Sequence, residues 1–172
     1  MDGLADTADG FFSTRPRERV LEIMRDSRTG VMGVIAVVFV IILKVSLLVN
    51  LPMPLRFGII LLMPLAGRCS HVMMMTALSY VRAEGGIVTV FGKEKSWFNV
   101  LWASAFLLAA GWIAAQWIGL AASISSLLIA AMFLIFCFRK IGGYTGDTLG
   151  AVCEITEIIP ALTAVALIGF FR

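Results

Sequence analysis

Long apolar stretches dominate the chain, and most of its polar residues lie between these stretches or near the N-terminus. Five stretches approach the roughly 20 apolar residues that a helix needs to cross a bilayer. They cover residues 31–51, 57–81, 98–118, 120–138 and 149–171, and only a brief turn near Gly119 separates the third from the fourth. The pattern therefore predicts an all-α fold: a polytopic membrane helix bundle with about five transmembrane helices in one integral membrane domain, residues 1–172.

Composition supports a membrane protein over a soluble one. Hydrophobic residues make up 60% of the chain and charged residues only 15%, with a mean hydropathy of +0.96, whereas soluble domains carry about 25% charged residues. The net charge is only +3, and the basic residues form no stripe, so we expect no nucleic-acid partner. Cys69, Cys137 and Cys153 lie in apolar stretches without metal-ligand spacing, which favours a packing role for all three.

The distribution of Lys and Arg predicts the orientation of the chain, because these residues are retained on the cytoplasmic side of a membrane. Ten of them fall in the N-terminal segment, in the loop after the second span and in the loop after the fourth, against two on the opposite side. The ten are Arg15, Arg17, Arg19, Arg25, Arg28, Arg82, Lys93, Lys95, Arg139 and Lys140. We therefore expect a multi-pass protein of the cell inner membrane, with the acidic segment 1–30 and the start of the fifth span facing the cytoplasm.

The first acidic cluster lies within DGLADTADG, residues 2–10. If this segment is helical, steps of four and three residues place Asp2, Asp6 and Asp9 on one face. Three like charges on one face repel one another unless a cation lies between them, and Mg²⁺ prefers carboxylate oxygens. The spacing thus suggests a magnesium site, while a solvated acidic cap before a helix remains the alternative.

The second acidic cluster lies in GGYTGDTLGAVCEITE, residues 142–157. Asp147 and Glu154 are seven residues apart and nearly aligned on a helix, and Glu157 follows one turn later. Carboxylates inside a span are costly, so their default interpretation is functional, with a cation or a basic partner nearby. The glycines of this segment fit close approach to phosphate or to a neighbouring helix equally well.

Basic residues in or beside the spans could meet anions. Arg28 lies just before the first span, and Arg68 lies inside the second, where a guanidinium needs an acidic partner or an anionic ligand. Lys44 is closer to the outer end of the first span, so snorkelling to that interface is slightly favoured over a site role. His71 is expected to be an interhelical polar residue. Together these features suggest Mg²⁺-assisted chemistry on a phosphorylated substrate, with an ion-coupled membrane transporter as the alternative.

At these motifs the sequence resembles the cobalamin synthase family, the adenosylcobinamide-GDP ribazoletransferases. The resemblance rests on residues 2–10, 19–33, Lys44, 66–68 and 142–157, in the family's order and almost end to end. It implies an integral membrane phosphotransferase that joins adenosylcobinamide-GDP to α-ribazole or its 5′-phosphate. GMP would leave, and adenosylcobalamin or its 5′-phosphate would form in a late, Mg²⁺-dependent step of cobalamin biosynthesis.

The resemblance also implies roles for individual residues. Asp2, Asp6 and Asp9 are the expected metal ligands, with Asp147 and Glu154 completing the site. Asp6 and Asp147 are also catalytic candidates, because one of the acids could take the hydroxyl proton. Arg28 and Arg68 are the candidates that stabilise phosphate charge.

One feature departs from the family pattern. Members normally carry further apolar spans before the first aspartate motif, whereas this sequence opens directly on it. We therefore expect a truncated gene, a misassigned start or a fragment, and an inactive remnant of the enzyme is a further alternative. The expected partners are the two substrates and membrane lipid. A homo-oligomer or an association with other enzymes of cobalamin synthesis stays open.

Overall fold

The computed structural model describes residues 1–26, 28–81 and 96–170, and the fold within these ranges is helical. Four of its helices are long and apolar enough to cross a membrane, which confirms the predicted polytopic helical membrane bundle. The segment with Arg82, Lys93 and Lys95, counted above as a cytoplasmic loop, lies outside the described residues. The helices are α1 (Asp2–Phe11), α2 (Arg17–Ile23), α3 (Val31–Asn50), α4 (Met53–Ala77), α5 (Trp97–Ile141) and α6 (Gly146–Phe170).

Helix α5 is a hairpin of two helical arms. Its backbone leaves the helical region at Ala115 and Gln116, where Gln116 has a φ of 47°. The Ser123 hydroxyl donates to the carbonyl of Leu107 at 3.0 Å, although residues so far apart would be separated by about 24 Å along a straight helix. The third and fourth predicted spans are therefore the two arms of α5, and the turn lies at residues 115–116 instead of near Gly119.

Gly119 has a different role from the predicted turn. A Cβ at this position would overlap the carbonyl oxygen of Gly111 on the opposite arm. The two arms therefore cross where both residues lack a side chain, as small residues permit between membrane helices.

The second span is shifted relative to its prediction, from residues 57–81 to Met53–Ala77. Pro52 caps the start of α4, and Pro54 occupies its first turn, where a missing backbone N–H has no intrahelical partner to lose. These two prolines therefore mark the start of the helix. Pro64 lies inside the helix, which membrane helices tolerate.

The acidic N-terminal motif forms a helix that packs against the spans. Helix α1 contacts both α3 and α6. Leu4, Ala8 and Phe11 are buried on one side of it, and 3.6-residue periodicity places Asp2 and Asp6 on another. The motif thus lies alongside the spans, and α2 follows it.

A hydrophobic cluster joins the N-terminal helices to the ends of the long helices. Val20 of α2 packs with Met74 near the end of α4, with Ile141 at the end of α5 and with Val152 of α6. This cluster fixes one end of the bundle, and that end carries the acidic motifs.

Candidate active site between α1 and α6

The two acidic motifs meet where α1 crosses the first turns of α6. A Cβ on Gly3 would lie only 2.6 Å from the carbonyl oxygen of Asp147, and a Cβ on Gly150 would lie 3.5 Å from the Cα of Gly3. Glycine at position 3 therefore lets the α1 backbone touch the residue that carries the candidate acid of α6. Segments almost 150 residues apart in sequence are thereby brought into contact.

The candidate acids of this contact lie on adjoining helix surfaces. Asp2 is exposed, and Asp6 and Asp147 are half-buried. Asp2 and Asp6 are one turn apart on α1, and both lie to one side of the direction in which Gly3 faces α6, at about 100° and about 60° around the helix. The arrangement thus places carboxylates of both motifs beside a single helix contact.

Asp9 has a structural task that its spacing did not reveal. Its two carboxylate oxygens accept hydrogen bonds from the backbone N–H groups of Gly30, at 2.6 Å, and Gly33, at 2.8 Å. These donors belong to the start of α3, whose first N–H groups have no intrahelical acceptor. Asp9 therefore caps α3 from α1 and locks the two helices together.

The start of α6 is held by the side chains of its first turn and by the segment that follows α4. Thr145 N–H donates to the Thr148 hydroxyl at 2.8 Å, and Thr148 N–H donates to the Thr145 hydroxyl at 3.2 Å, a reciprocal capping arrangement. Just before it, Tyr144 N–H donates to the Ser79 carbonyl and Val81 N–H to the Tyr144 carbonyl, both at 3.0 Å. These contacts fix where α6 begins, and therefore the position of Asp147 in its first turn.

The connection from α5 to α6 also explains its glycine pair. Gly142 adopts a φ of 75° and ends α5, donating its N–H to Phe138, in the left-handed conformation that favours glycine. A side chain on Gly143 would overlap the Ser79 carbonyl oxygen. The two glycines are therefore explained by the left-handed turn and by the close backbone contact, without a ligand.

Arg68 and His71 face α6 from α4. The Arg68 side chain is exposed, and its Nη1 lies 3.4 Å from the Cys153 sulfur; among the described residues it makes no direct ion pair. His71 Nε2 lies 2.8 Å from the Leu149 carbonyl oxygen, in accord with its expected interhelical role. Arg68 is thus accessible to an anion.

Arg28 lies in the segment before α3 and is paired with Asp26. Its Nη2 donates to Asp26 at 2.7 Å and its Nε at 3.1 Å, and its side chain is 87% exposed. The Arg28 guanidinium lowers the pKa of Asp26 from 3.8 to about 2, chiefly through the side-chain hydrogen bonds. The structure therefore shows Arg28 in a local, exposed ion pair.

Glu154 and Lys44 contact each other between α6 and α3. Lys44 Nζ donates to Glu154 Oε2 at 2.7 Å and to Glu157 Oε2 at 2.8 Å. Glu154 Oε1 also lies 3.3 Å from the Met1 ammonium. The expectation that Lys44 snorkels to the outer interface is wrong, because its ammonium is paired inside the bundle. The sequence signal for this pairing was a single lysine in one span and two acids in another, because charged residues inside a membrane commonly pair with each other.

The three cysteines are free and buried, as expected for packing residues. Among the described residues, no group of three or more His, Cys, Asp or Glu side chains is arranged to hold a metal ion. Mg²⁺, however, is commonly bound by one or two carboxylates together with substrate phosphates and water. The half-buried Asp6 and Asp147 at a helix contact fit that mode, and they do not fit an all-protein cage.

Comparison with known proteins adds an independent observation. A family described as cobalamin-5-phosphate synthase matches residues 1–166. The chain is 39% identical to an adenosylcobinamide-GDP ribazoletransferase of Clostridium acetobutylicum over 99% of the chain and 68% of the relative. Relatives of the same name from Clostridium novyi and Listeria monocytogenes are 38% and 34% identical, each over 98% of the chain and 68% of the relative. No solved structure matches the chain.

Proposed function

Since the chain belongs to the cobalamin-5-phosphate synthase family, we propose that it joins adenosylcobinamide-GDP to α-ribazole or its 5′-phosphate. A ribose hydroxyl forms a new bond to the phosphorus that bears the cobinamide, and the bond from that phosphorus to GMP breaks. The hydroxyl gives up its proton, and GMP leaves with the electron pair. The structural observation that carries this proposal is the contact between Gly3 and Asp147, which joins two acidic motifs at one place.

Three of the acids are assigned to the metal. Asp2, Asp6 and Asp147 would hold Mg²⁺, whose charge would offset that of the phosphates and of the departing GMP. Asp9 and Glu154 are left out of this set, because Asp9 caps α3 and Glu154 is bonded to Lys44. One of Asp2, Asp6 and Asp147 takes the hydroxyl proton in place of binding the metal.

The two candidate arginines, Arg68 and Arg28, differ in their distance along the chain from the membrane spans and in their partners. Arg68 lies on α4 beside α6 with an exposed guanidinium, so it can donate to phosphate oxygens as arginine commonly does. Arg28, paired with Asp26 on the surface, would have to leave that pair to reach the substrate. We therefore assign phosphate binding first to Arg68, and Arg28 to a secondary contact at the entrance.

The location of the site follows from the charge distribution. The N-terminal segment and the connection from α5 to α6 carry the excess of Lys and Arg, so we place the site on the cytoplasmic side of the cell inner membrane. Nucleotide-linked substrates and Mg²⁺ would reach it from that side.

An ion-coupled transporter is the rival function, with Glu154, Glu157 and Arg68 along a polar path. Lys44 contacts both glutamates within 3 Å. A fixed ammonium between two carboxylates favours a structural ion pair over a cation path, because a transported cation would have to compete with it.

The test is Mg²⁺-dependent GMP release by the purified chain in lipid nanodiscs, supplied with adenosylcobinamide-GDP and α-ribazole. We expect Asp6→Asn and Asp147→Asn each to reduce the rate by about 100-fold or more, in line with the loss of a catalytic charge. The matched control is Glu22→Gln, since Glu22 is an exposed acid that pairs only with Arg19 among the described residues. Absence of GMP release from the unmodified chain, or full activity in both aspartate variants, would overturn the proposal.

A further inference from the structure

We propose that Lys44 is a positioning residue: with Glu154 and Glu157 it forms an ion triad that holds α3 against α6, and thereby sets the geometry of the contact between α1 and α6. The inference rests on the proposed function for its catalytic consequence. Its structural part stands on the contacts of Lys44 alone.

The triad is compact and largely removed from solvent. Lys44 Nζ lies 2.7 Å from one carboxylate and 2.8 Å from the other. The side chains of Lys44, Glu154 and Glu157 are only 19%, 19% and 20% exposed. One ammonium therefore bridges two acids that are one turn apart on α6.

The triad also lies deep within the bundle. Lys44 is about 20 Å along α3 from its first residue, and Glu154 about 12 Å along α6 from its first residue. Charges at such depth in a membrane protein are costly unless they are paired, and removing one partner leaves the other uncompensated. The triad is therefore a strong constraint on where α3 can lie.

Helix α3 depends on such a constraint because only a narrow stripe of it is buried. Its buried residues are only Gly33, Val40 and Leu47, a single stripe seven residues apart. The Asp9 cap fixes its first turn, and the triad fixes it further along. These are two separate anchor points on one weakly packed helix.

The position of α3 matters for the site because α1 lies against it. A Cβ on Gly33 of α3 would lie 2.9 Å from the carbonyl oxygen of Ala5 on α1. Gly3, also on α1, touches Asp147 of α6. If α3 moves away from α6, α1 loses one of the two surfaces that hold Asp2 and Asp6 in register with Asp147. Lys44 thus acts on the acids through helix position, without touching them.

A thiol links the triad to the candidate phosphate ligand. Cys153 Sγ donates to Glu157 Oε1 at 3.3 Å and accepts from Arg68 Nη1 at 3.4 Å. Lys44 therefore balances both acids directly, while the Met1 ammonium also contacts Glu154 and Arg68 reaches Glu157 through the sulfur. Loss of Lys44 would leave Glu154 with the Met1 ammonium and Glu157 with Arg68, and would draw Arg68 towards Glu157.

The experiment compares four variants in nanodiscs. Lys44→Met breaks the triad, and Lys44→Arg keeps its charge. A triple variant (Lys44→Met, Glu154→Gln, Glu157→Gln) removes all three charges together. Arg19→Met is the matched control, because it removes a basic partner from an exposed ion pair with Glu22.

Three measurements are made on each variant. The first is the apparent Tm without Mg²⁺. The second is the distance distribution between spin labels on Phe39 of α3 and Leu162 of α6, both of which are exposed. The third is the Mg²⁺ concentration that half-saturates GMP release, which is compared with the maximal rate.

For Lys44→Met we expect a lower Tm, a broader distance distribution and a half-saturating Mg²⁺ concentration raised by about tenfold or more, with a smaller effect on the maximal rate. The triple variant restores all three measurements towards the unmodified chain, and Lys44→Arg and Arg19→Met stay close to it. A replaced charge network of this kind is commonly neutral for stability, whereas a broken one is not.

Unchanged Tm and distances in Lys44→Met would overturn the proposal. A triple variant that is as impaired as Lys44→Met would also overturn it, since the glutamates would then have a role that does not depend on Lys44. If the unmodified chain releases no GMP, the proposed function fails. The Tm and the spin-label distances then still decide whether the triad holds α3 in place.

Discussion

At the scale of single residues, the same side-chain type has different tasks in this chain. Asp2, Asp6 and Asp9 share one face of α1, as their spacing predicted, yet Asp9 uses both carboxylate oxygens to cap α3. The sequence could not reveal this, because the acceptor and its donors lie on different helices. Glu154 could likewise be placed on the correct face of α6 but not with its partner Lys44.

The cap makes Asp9 a stability residue. Replacing it by alanine removes the acceptor of two backbone N–H groups, and loss of a helix cap typically costs about 1–2 kcal/mol. We expect Asp9→Ala to lower the apparent Tm in nanodiscs without Mg²⁺. Asp2→Ala, at an exposed position, should have little effect under the same conditions. A Tm change in Asp9→Ala that appears only with Mg²⁺ present would instead indicate a metal ligand.

Arg28 gives Asp26 an unusual titration. The hydrogen bonds from Arg28 hold the pKa of Asp26 at about 2 in the folded chain, against an ordinary value of 3.8. Because the folded pKa is depressed, the pair stabilises the chain above pH 3.8 and loses this contribution as the pH falls through about 2. Carboxyl ¹³C NMR should show this midpoint, and Arg28→Ala should return it to near 3.8. An unchanged midpoint in Arg28→Ala would contradict the pairing.

At the scale of elements, close helix contacts at glycines explain what apolar patterns alone could not. The apolar runs predicted the spans but located the turn of α5 near Gly119, whereas the backbone reverses at Ala115 and Gln116. Apolar residues continue through the turn, so hydropathy gives no signal there. Gly119 lies where the two arms cross, and a glycine in an apolar run fits a turn and a crossing equally well.

The same reasoning gives a prediction for the contact of α1 with α6. Gly3→Ala would place a methyl group 2.6 Å from the Asp147 carbonyl oxygen, closer than atoms can pack, so α1 has to shift. We expect GMP release to fall by about tenfold or more, as small displacements of catalytic groups commonly cause. The matched control is Gly146→Ala, because a Cβ there would meet nothing within 4 Å. Equal rates in the two variants would rule out a role for this contact.

At the scale of the whole molecule, the fold was largely predictable and the site only in part. The length of the apolar stretches predicted the helical bundle. The distribution of Lys and Arg predicted that the two acidic motifs face the same side of the membrane. Their contact depends on tertiary packing at Gly3. Helix α3 is mostly exposed in the structure, and we expect membrane lipid or a further copy of the chain to cover this apolar surface.

The orientation is testable by labelling. In a background where the buried native cysteines are replaced, Arg19→Cys and Gln116→Cys each introduce an exposed thiol. A membrane-impermeant thiol reagent should label Arg19→Cys only in inside-out vesicles and Gln116→Cys only from the periplasmic side. Labelling of both from the same side would contradict the arrangement of spans. The reverse pattern would place the site on the outer face.

The central claim is that the acids of α1 and α6 act at one site. The most direct test is a double-mutant cycle for GMP release with Asp6→Asn, Asp147→Asn and the double variant. Two groups that serve one site are strongly non-additive, so the double variant should be no slower than the slower single variant. Losses that multiply, as they do for independent sites, would contradict the account.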